Sequence, residues 1–324
     1  MASEVKERQK ETAAVGAEIP ETGWAYQDGV FKRLADAHVS LATHALNYGT
    51  GVFEGIRAYW SATQEQLYVF RLREHFERMR GNCGLLRLEL PGDDAMLADV
   101  TLELLRRNEF RTDVYVRPLA YKAARSIKVA LHDMRSGFGM FAFPIGAYLP
   151  TSGLSARTAT WRRTSDDAIP ARGKLTGAYI NTALAVDEAH DAGADEAIFL
   201  TRDGHVSEGG SANLFMVRDG DLITPSVTDD ILEGITRDTV ITIAREELGL
   251  TVRERAIDRT ELFIADEVFF CGTGAQVAPC VKVDGRVVGD GTIGPTARRI
   301  GEVYYAIARG DDKRHAEWRT AVYR

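Results

Sequence analysis

The spacing of apolar residues changes along the chain, and the changes predict where strands give way to helices. Between about Trp24 and Phe70, short apolar runs alternate with polar turns, a pattern typical of strands. Two helices are predicted next, because apolar residues then recur every three or four positions. The first helix places Leu72, Phe76, Met79 and Cys83 on one face. The second follows the cap candidates Asp93 and Asp94, with Met96, Leu97, Val100, Leu104 and Leu105 on its apolar face.

Two further strands are predicted in "DVYVRPLAY" and "FGMFAFP". Pro118 lies inside the first of them and cannot donate a ladder hydrogen bond. We therefore expect the pairing of this strand to stop early or to lie at a sheet edge. The turn-rich run "YLPTSGLS", residues 148–155, is predicted to be a linker, and a new strand begins near Ala156.

Asp-Gly pairs between apolar runs predict hairpins on both sides of this linker. Asp28-Gly29 lies in the first region, and the second contains Asp203-Gly204, Asp219-Gly220 and Asp284-Gly285. Helical patterns cover about 176–192, 234–249 and 300–310. Hairpins mixed with helices favour two α+β domains over a doubly wound parallel sheet. The predicted division is a polar leader at 1–22, a small α+β domain at 23–147, the linker at 148–155 and a large α+β domain at 156–324.

Composition narrows the function classes. The 324 residues are enough for two domains, and 45% apolar with 27% charged residues is typical of a soluble globular protein. A formal charge of −7 argues against a nucleic-acid-binding surface, and no apolar run is long enough to span a membrane. The N-terminus has no apolar signal-peptide core. Three scattered cysteines and seven histidines form no disulfide framework and no metal motif, so we expect no metal and a cytoplasmic location.

The stretch "IPARGKLTGAY" raises the possibility of a phosphate-binding loop around Lys174. A P-loop requires a glycine where Ala168 stands and a Ser or Thr where Leu175 stands, so two of its functional parts are missing. "GDGTIG", residues 289–294, matches a dinucleotide pattern but has no following strand to supply the ribose contact. "EGGSANL" lacks the flanking glycine of a nucleophile elbow. These motifs do not support nucleotide binding or serine chemistry.

Lys174 is then either a solvated side chain or a covalent catalyst. Lysine forms Schiff bases with carbonyl compounds, and burial favours its neutral, nucleophilic form. Gly173 and Gly177 allow close backbone approach, and Tyr179 follows five positions later. Downstream, "SEGGSANLF" places Glu208 beside flexible glycines, and such a carboxylate can hold a pyridinium nitrogen protonated.

Two turns could bind a phosphate. "EGITRD" opens a helix, so the amides of Ile235 and Thr236 lie at its positive dipole end. "CGTGA" offers further amides and the hydroxyl of Thr273. Each turn alone could be an ordinary loop or helix start. A cofactor site is favoured because both turns follow Lys174 and Glu208 along the chain.

Six ordered motifs resemble those of one family: "LNYGTGVFEGIRAY", "YVRP", "GKLTGAY", "SEGGSANLF", "GITRD" and "CGTGAQVAP". Together they resemble the fold-type IV pyridoxal-phosphate (PLP) aminotransferases, and within them the branched-chain amino-acid aminotransferases. The similarity runs from about Trp24 to Val288. It implies two α+β domains of the D-amino-acid aminotransferase type with the cofactor in the cleft between them, and a homodimer or higher homo-oligomer.

The resemblance also implies roles for individual residues at the cofactor. Lys174 would form the Schiff base with PLP and carry the proton between substrate and cofactor. Glu208 would pair with the pyridine nitrogen, and Tyr179 would contact the ring oxygen. The phosphate would be bound by the residues Arg78, Ile235, Thr236 and Thr273.

On the substrate side, the resemblance implies an apolar pocket with a few polar groups, formed by Tyr48, Phe53, Gly55, Arg57, Tyr115, Arg117 and Tyr148. The amides of Thr273 and Gly274 would receive the α-carboxylate together with Tyr115. Residues 122–136 would reach toward a neighbouring subunit's site. Ile145 and Ala212 stand where many bacterial branched-chain enzymes carry Trp and Glu, which affects the expected substrate range.

We therefore expect a ping-pong transaminase that moves an amino group between L-branched-chain amino acids and 2-oxoglutarate or glutamate. One alternative keeps the fold and cofactor: an (R)-amine or D-amino-acid transaminase, or an aminodeoxychorismate-type lyase. A remote alternative is a non-catalytic protein that binds phosphate or nucleotides through its glycine turns.

Overall fold

The computed structural model describes Ile19 and residues 21–146, 149–150 and 152–323, which form two compact units. The first unit contains the described residues of 19–146, 173–178 and 306–323, and the second those of 149–172 and 179–305. Each unit contains one β-sheet. Residues 1–18 and 20 of the predicted leader, and Tyr148 and Thr151 of the predicted linker, lie outside the described residues. The domain boundaries drawn from the sequence stay predictions.

Both halves of the chain combine strands with helices. The N-terminal half contains β1 (Trp24–Gln27), β2 (Val30–Arg33), α1 (His44–Tyr48), β3 (Gly51–Phe53), β4 (Ile56–Ser61), β5 (Gln66–Phe70), α2 (Leu72–Leu85), α3 (Asp94–Asn108), β6 (Val114–Lys122) and β7 (Ser136–Pro144). The C-terminal half contains β8 (Leu154–Arg162), α4 (Tyr179–Asp191), β9 (Glu196–Leu200), β10 (Val206–Gly209), β11 (Asn213–Arg218), β12 (Asp221–Thr224), α5 (Ile235–Thr242), β13 (Val252–Glu254), β14 (Glu267–Gly272), β15 (Gln276–Val283), β16 (Arg286–Val287), α6 (Pro295–Arg309) and β17 (Arg319–Ala321). Short 3-10 turns occupy Leu34–Asp36, Thr176–Ala178, Arg259–Phe263 and Ala316–Trp318, and a π-helical turn, Ile243–Glu247, continues α5.

The first unit's sheet is antiparallel, in the order β17-β5-β4-β6-β7-β1-β2, with β3 also paired to β6. The predicted hairpin at Asp28-Gly29 is confirmed between β1 and β2. Both turn residues have positive φ values, 47° and 94°, which suits the tight turns that join twisted strands.

Helices α2 and α3 of the first unit follow the predicted apolar spacing. Leu72, Phe76, Met79 and Cys83 are all buried along α2. The Asp93 side chain accepts a hydrogen bond from the Met96 N–H at 2.9 Å, so the predicted cap of α3 is also confirmed. Along α3, Leu97, Leu104 and Leu105 are buried, but Met96 is 37% exposed because it belongs to the first turn beside the cap.

The expectation for Pro118 was wrong, because β6 is a central strand that pairs with β7 along its whole length. On its other side, β3 pairs with Leu119–Tyr121 and β4 pairs with Val114–Val116. Pro118 falls between these two partners, so its missing N–H interrupts no ladder. Its carbonyl oxygen accepts a hydrogen bond from the Glu54 N–H at 3.0 Å. The proline therefore lies opposite the break between β3 and β4, where the motif "FEG" runs.

The second unit's sheet has the order β10-β9-β8-β15-β14-β11-β12-β13, with β16 added on β15. Hairpins occur at each of the three predicted Asp-Gly pairs, and β8 runs parallel to β9 and β15. Helix α4 lies on this sheet through Ala185 and Ala189, which contact a cluster containing Ala159 and Phe199. Hairpins combined with packed helices confirm the predicted α+β class.

Within the described part of the chain, no helix is both long and apolar enough to cross a membrane.

Candidate active site

Lys174 lies in the segment 173–178, which packs on strand β3 of the first unit. Its carbonyl oxygen accepts a hydrogen bond from the Phe53 N–H at 3.1 Å. Its Nζ atom lies 4.8 Å from the centroid of the Phe53 ring. Gly177 donates its N–H to the Gly49 carbonyl at 3.0 Å, and a Cβ atom on Gly177 would lie 3.1 Å from that oxygen. The expected close backbone approach is found here, and it fixes the lysine's segment against β3.

Four of the predicted substrate-side residues lie together in the first unit. Arg117 donates a hydrogen bond from Nη2 to the Tyr115 hydroxyl at 3.2 Å, and its guanidinium carbon lies 4.5 Å from the Phe53 ring centroid. Gly55 leaves room for Tyr115, because a Cβ atom on Gly55 would lie 1.9 Å from the tyrosine hydroxyl. The side chains of Arg117 and Lys174 thus both lie over the Phe53 ring, and Gly55 leaves room for the neighbouring Tyr115.

Two other predicted substrate-side residues of this unit, Arg57 and Tyr48, are placed differently. Arg57 is buried and donates from Nη2 to the carbonyl oxygens of Ile145, at 3.2 Å, and Gly146, at 2.6 Å. Tyr48 is 40% exposed and donates its hydroxyl to the Ile127 carbonyl at 2.8 Å. Tyr148 lies outside the described residues. The substrate roles of Arg57, Tyr48 and Tyr148 stay predictions.

Arg78 belongs to a buried ionic cluster with Glu54 and His75. Glu54 accepts hydrogen bonds from Arg78 Nε at 2.8 Å and Nη2 at 2.7 Å, and Nδ1 of His75 lies 2.8 Å from its Oε2 atom. Burial favours the neutral carboxyl, but Arg78 and His75 outweigh it and hold the pKa of Glu54 well below its usual range. Burial lowers the pKa of His75. A neutral His75 therefore donates from Nδ1 to a carboxylate, and Glu54 fixes the orientation of Arg78.

In the second unit, Glu208 lies on β10 and is held by three donors. Arg163 Nη2 lies 2.7 Å from Oε1, while Asn213 Nδ2 and the Leu232 N–H donate to Oε2 at 3.0 and 3.1 Å. The carboxylate is buried, and a carboxylate can accept several such bonds at once. Its position on the sheet is therefore fixed.

Asn213 connects Glu208 to the turn that opens α5. The same Nδ2 atom also donates to the Leu232 carbonyl at 2.9 Å, and a Cβ atom on Gly234 would lie 2.0 Å from Asn213 Oδ1. Gly234 is the N-cap residue and gives the helix no side-chain cap. The predicted phosphate-binding residues Ile235 and Thr236 form the first turn of this helix. Glu208 and this turn therefore belong to one hydrogen-bonded arrangement.

The remaining predicted residues of the second unit lie at element ends. Thr273 and Gly274 form the turn between β14 and β15 and are half-buried. Tyr179 is the first residue of α4, also half-buried. These positions put backbone amides and a phenol at the ends of elements, where side chains and turn amides can meet a ligand.

The family model for the class IV aminotransferases matches residues 51–283. This span contains Arg78, Lys174, Glu208 and both glycine-rich turns. The chain belongs to the class IV aminotransferases.

Known relatives extend the similarity over nearly the whole aminotransferase. A probable branched-chain-amino-acid aminotransferase of Aquifex aeolicus is 44% identical over 93% of this chain and 97% of the relative. The branched-chain-amino-acid aminotransferase of Escherichia coli K12 is 37% identical over 90% of this chain and 94% of its own length.

Solved structures agree with these sequence relatives. The branched-chain aminotransferase of Thermoproteus uzoniensis, determined with norvaline, has a TM-score of 0.89 and 41% identity, covering 93% of this chain and 99% of that one. The branched-chain amino acid aminotransferase of Thermobaculum terrenum, determined in its PLP form, has a TM-score of 0.89 and 36% identity, covering 95% and 100%. The fold-type IV prediction is thereby confirmed.

Several residues of the aminotransferase that contact the predicted site residues did not emerge from the sequence. Glu54 and His75 hold Arg78, and Arg163 and Asn213 hold Glu208. His75 lies three residues before Arg78 on one helix, so helical spacing could have indicated that pair. Glu54 contacts helix α2 from the break between β3 and β4, and Arg163 contacts Glu208 on β10, so the partners lie far apart in sequence and spacing carries no signal for them.

Proposed function

We propose that this aminotransferase uses PLP to move an amino group between L-leucine, L-isoleucine or L-valine and 2-oxoglutarate in two half-reactions. The observation that carries the proposal is the set of relatives named for branched-chain amino acids, which are 36–44% identical over at least 90% of this chain. Among the matching structures, one branched-chain aminotransferase was determined both with N-(5'-phosphopyridoxyl)-L-glutamate and with 4-methylvaleric acid. An acidic and a branched apolar ligand are thus both named for that enzyme.

The residues present fit PLP, whose binding groups are an aldehyde, a ring nitrogen and a phosphate. Lys174 offers a primary amine for the aldehyde, and Glu208 offers a carboxylate held by three donors for the ring nitrogen. Tyr179 would contact the ring oxygen. The phosphate would be held by Arg78, by the amides of Ile235 and Thr236 at the glycine-capped start of α5, and by Thr273. When bound, the cofactor supplies a carbonyl that takes up the amino group and a ring that withdraws electrons from the substrate carbon.

The catalytic proton transfer is assigned to Lys174. Its amine would take the proton from the substrate Cα and return it at the C4′ position of the cofactor, so one group serves as base and then as acid. The hydrogen bond from the Phe53 N–H to the Lys174 carbonyl fixes the lysine backbone on β3. Glu208, as an anion, would keep a proton on the ring nitrogen.

Substrate selection is assigned to the cluster around Phe53. The Phe53 ring and Tyr115 offer an apolar wall for a branched side chain, and Gly55 leaves the space that Tyr115 occupies. Arg117 carries a buried Nε atom with no hydrogen-bond partner within the described residues. A buried donor of this kind suits a carboxylate, including the γ-carboxylate of glutamate. The amides of Thr273 and Gly274 would receive the α-carboxylate.

We infer that the enzyme assembles as a homodimer or a higher homo-oligomer. Leu41, Leu46, Ile127 and Val129 are exposed apolar residues on two segments of the first unit that are joined by a bridge between Thr43 and Arg125. Several exposed apolar residues on neighbouring segments favour an interaction site. The three cysteines are buried and free, which supports a reducing, cytoplasmic location.

The test is reconstitution of apoenzyme with PLP, followed by initial rates with 2-oxoglutarate. L-leucine, L-isoleucine and L-valine should be the preferred donors over L-phenylalanine, D-alanine and (R)-phenylethylamine. Lys174→Ala should lose several orders of magnitude in turnover and the borohydride-reducible absorbance, because both the covalent link and the proton carrier are removed. Preference for D-alanine or (R)-phenylethylamine would reassign the substrate, and a fully active Lys174→Ala enzyme would contradict the mechanism.

A further inference from the structure

Glu208 has a charged partner in the same unit. Arg163 Nη2 lies 2.7 Å from Glu208 Oε1, and the two side chains are only 10% and 5% exposed. The Arg163 backbone N–H donates to the Leu200 carbonyl at 2.9 Å, and its guanidinium carbon lies 5.4 Å from the Phe199 ring centroid. A strand and an aromatic ring therefore hold the guanidinium against the carboxylate.

The neighbouring Arg162 has the same charge as Arg163 but does not contact Glu208, so it provides a matched comparison. Arg162 is the last residue of β8, and Arg163 follows it directly. Successive side chains of an extended segment point to opposite faces. Accordingly Arg162 is exposed to solvent, whereas Arg163 is directed at Glu208. The sequence "WRRT" thus contains one arginine of each kind.

We propose that Arg163 is a positioning residue that keeps Glu208 ionised and oriented, so that the ring nitrogen of PLP carries a proton. The proposal rests on the proposed function, in which Glu208 faces that nitrogen. It assigns to Arg163 an effect on the cofactor that passes through Glu208 and needs no contact between Arg163 and the cofactor.

The physical reason is a competition for one proton. A buried carboxylate is costly and tends to neutralise itself by binding a proton. Asn213 Nδ2 and the Leu232 N–H stabilise the anion with neutral hydrogen bonds, whereas Arg163 adds a full opposite charge. With Arg163 present, Glu208 is the weaker base and the proton stays on the ring nitrogen. Without it, the proton moves toward Glu208 and a weaker, neutral hydrogen bond remains.

The experiment compares PLP with its 1-deaza analogue, in which a C–H group replaces the ring nitrogen. Dissociation constants are measured for both ligands with wild-type apoenzyme, Arg163→Met, Arg163→Lys and the control Arg162→Met. Wild type and Arg162→Met should prefer PLP by about tenfold or more, and Arg163→Met by no more than about threefold, as expected when a charge-assisted hydrogen bond becomes a neutral one. Arg163→Lys keeps the charge but lacks the planar guanidinium, and its preference should lie between these values.

A second measurement reports the proton directly. With PLP labelled with ¹⁵N in the ring, the NMR shift should be that of a protonated nitrogen in wild type and Arg162→Met. It should move toward the unprotonated value in Arg163→Met. A merely structural role of Arg163 would weaken both ligands equally and leave this shift unchanged.

The outcomes also distinguish failure of the proposed role of Arg163 from failure of the proposed pairing of Glu208 with PLP. If wild type binds PLP and its 1-deaza analogue equally, the pairing of Glu208 with the ring nitrogen is wrong. If wild type discriminates but both Arg163 variants discriminate equally well with an unchanged shift, only the role of Arg163 is wrong. Should Arg163→Met fail to fold, Arg163→Lys tests the proposal: a preference for PLP below that of wild type supports it, and a wild-type preference with an unchanged shift contradicts it.

Discussion

Both carboxylate oxygens of Glu54 accept hydrogen bonds from Arg78, one from Nε at 2.8 Å and the other from Nη2 at 2.7 Å. Glu54 comes from the break between β3 and β4, whereas Arg78 comes from helix α2. Because Glu54 is completely buried, the pair cannot exchange its partners for water. The direction of the Arg78 guanidinium is therefore set by a residue that need not touch the cofactor.

Glu54→Gln should weaken PLP binding by about tenfold. An amide accepts hydrogen bonds from a guanidinium less strongly than a carboxylate does, and it orients the guanidinium less well. Binding of pyridoxal, which lacks the phosphate, should change little. Titration of apoenzyme with both ligands, followed by absorbance, measures the two affinities.

The matched control for this change is Glu77→Gln on the same helix. Glu77 pairs with Arg73 at the surface, with both side chains exposed, so its loss should alter neither affinity measurably. Equal weakening of PLP and pyridoxal in Glu54→Gln would show that Glu54 maintains the fold of the site and does not act through the phosphate.

Glu196→Gln should stabilise the protein at pH 8 but not at pH 5. Burial raises the pKa of Glu196 to about 7, from an ordinary value of 4.5. A raised folded pKa contributes stability that is present below the unfolded pKa and is lost as the pH rises through the folded pKa. The wild type should therefore lose about 3 kcal/mol of unfolding free energy between pH 4.5 and 8, and the glutamine variant should not.

Urea unfolding of both proteins at pH 5 and pH 8 measures this difference. Glutamine keeps the acceptor oxygen that receives the N–H groups of Ala197 and Gly210, at 2.8 and 3.1 Å. Glu302→Gln, at an exposed surface pair, is the control and should show no pH-dependent gain. If Glu196→Gln changed the free energy of unfolding equally at pH 5 and pH 8, ionisation of Glu196 could not be the cause.

Gly55→Ala should reduce kcat/KM for L-leucine by at least about tenfold, because the new methyl group would displace Tyr115. Moving a substrate-binding group by about 1 Å can reduce the rate to this extent or more. A Cβ atom there would lie only 1.9 Å from the Tyr115 hydroxyl, which itself accepts a hydrogen bond from Arg117. Steady-state rates with varied L-leucine measure the loss.

Gly81→Ala is the contrasting glycine change. Gly81 lies inside α2, and nothing lies within 4 Å of the Cβ position. Alanine there should raise the free energy of unfolding by about 0.5–1 kcal/mol without affecting catalysis. Unchanged kcat/KM in Gly55→Ala would mean that the tyrosine does not help to bind substrate.

Much of the fold could be predicted from the sequence because its elements follow local rules. Apolar spacing gave α2 and α3, and Asp-Gly pairs gave all four predicted hairpins. Pro118 was misjudged because its tolerance depends on where β3 and β4 meet β6, which is a matter of sheet register. The pairing of β6 with β3 and β4 joins residues far apart in sequence, and local spacing does not indicate which strands become neighbours.

The same limit applies to the candidate site. Residue chemistry and the family resemblance together indicated Lys174 and Glu208, whereas the resemblance alone indicated Arg78. Arg163 and Glu54 lie close to the same motifs in the sequence, but the residues that they contact belong to other strands and helices. Opposite charges that meet only after folding cannot be paired from sequence spacing, because every carboxylate in the chain is a possible partner.

If the enzyme is the homo-oligomer that we propose, Leu41→Glu combined with Ile127→Glu should convert it to monomers. These two side chains are 86% and 81% exposed, and the segments that carry them are joined by the hydrogen bond from Tyr48 to the Ile127 carbonyl. Two buried carboxylates at an apolar interface would each cost several kcal/mol. Light scattering after size-exclusion chromatography measures the mass of the particle.

Ile264→Glu, at an exposed apolar position of the second unit, serves as the control and should leave the mass of the particle unchanged. An unchanged mass in the double variant would place the interface elsewhere on the chain. Active monomers would show that each chain holds a whole site, so that assembly serves stability only. Loss of activity on dissociation is the result expected if residues 122–136, which include Ile127, complete a neighbouring subunit's site.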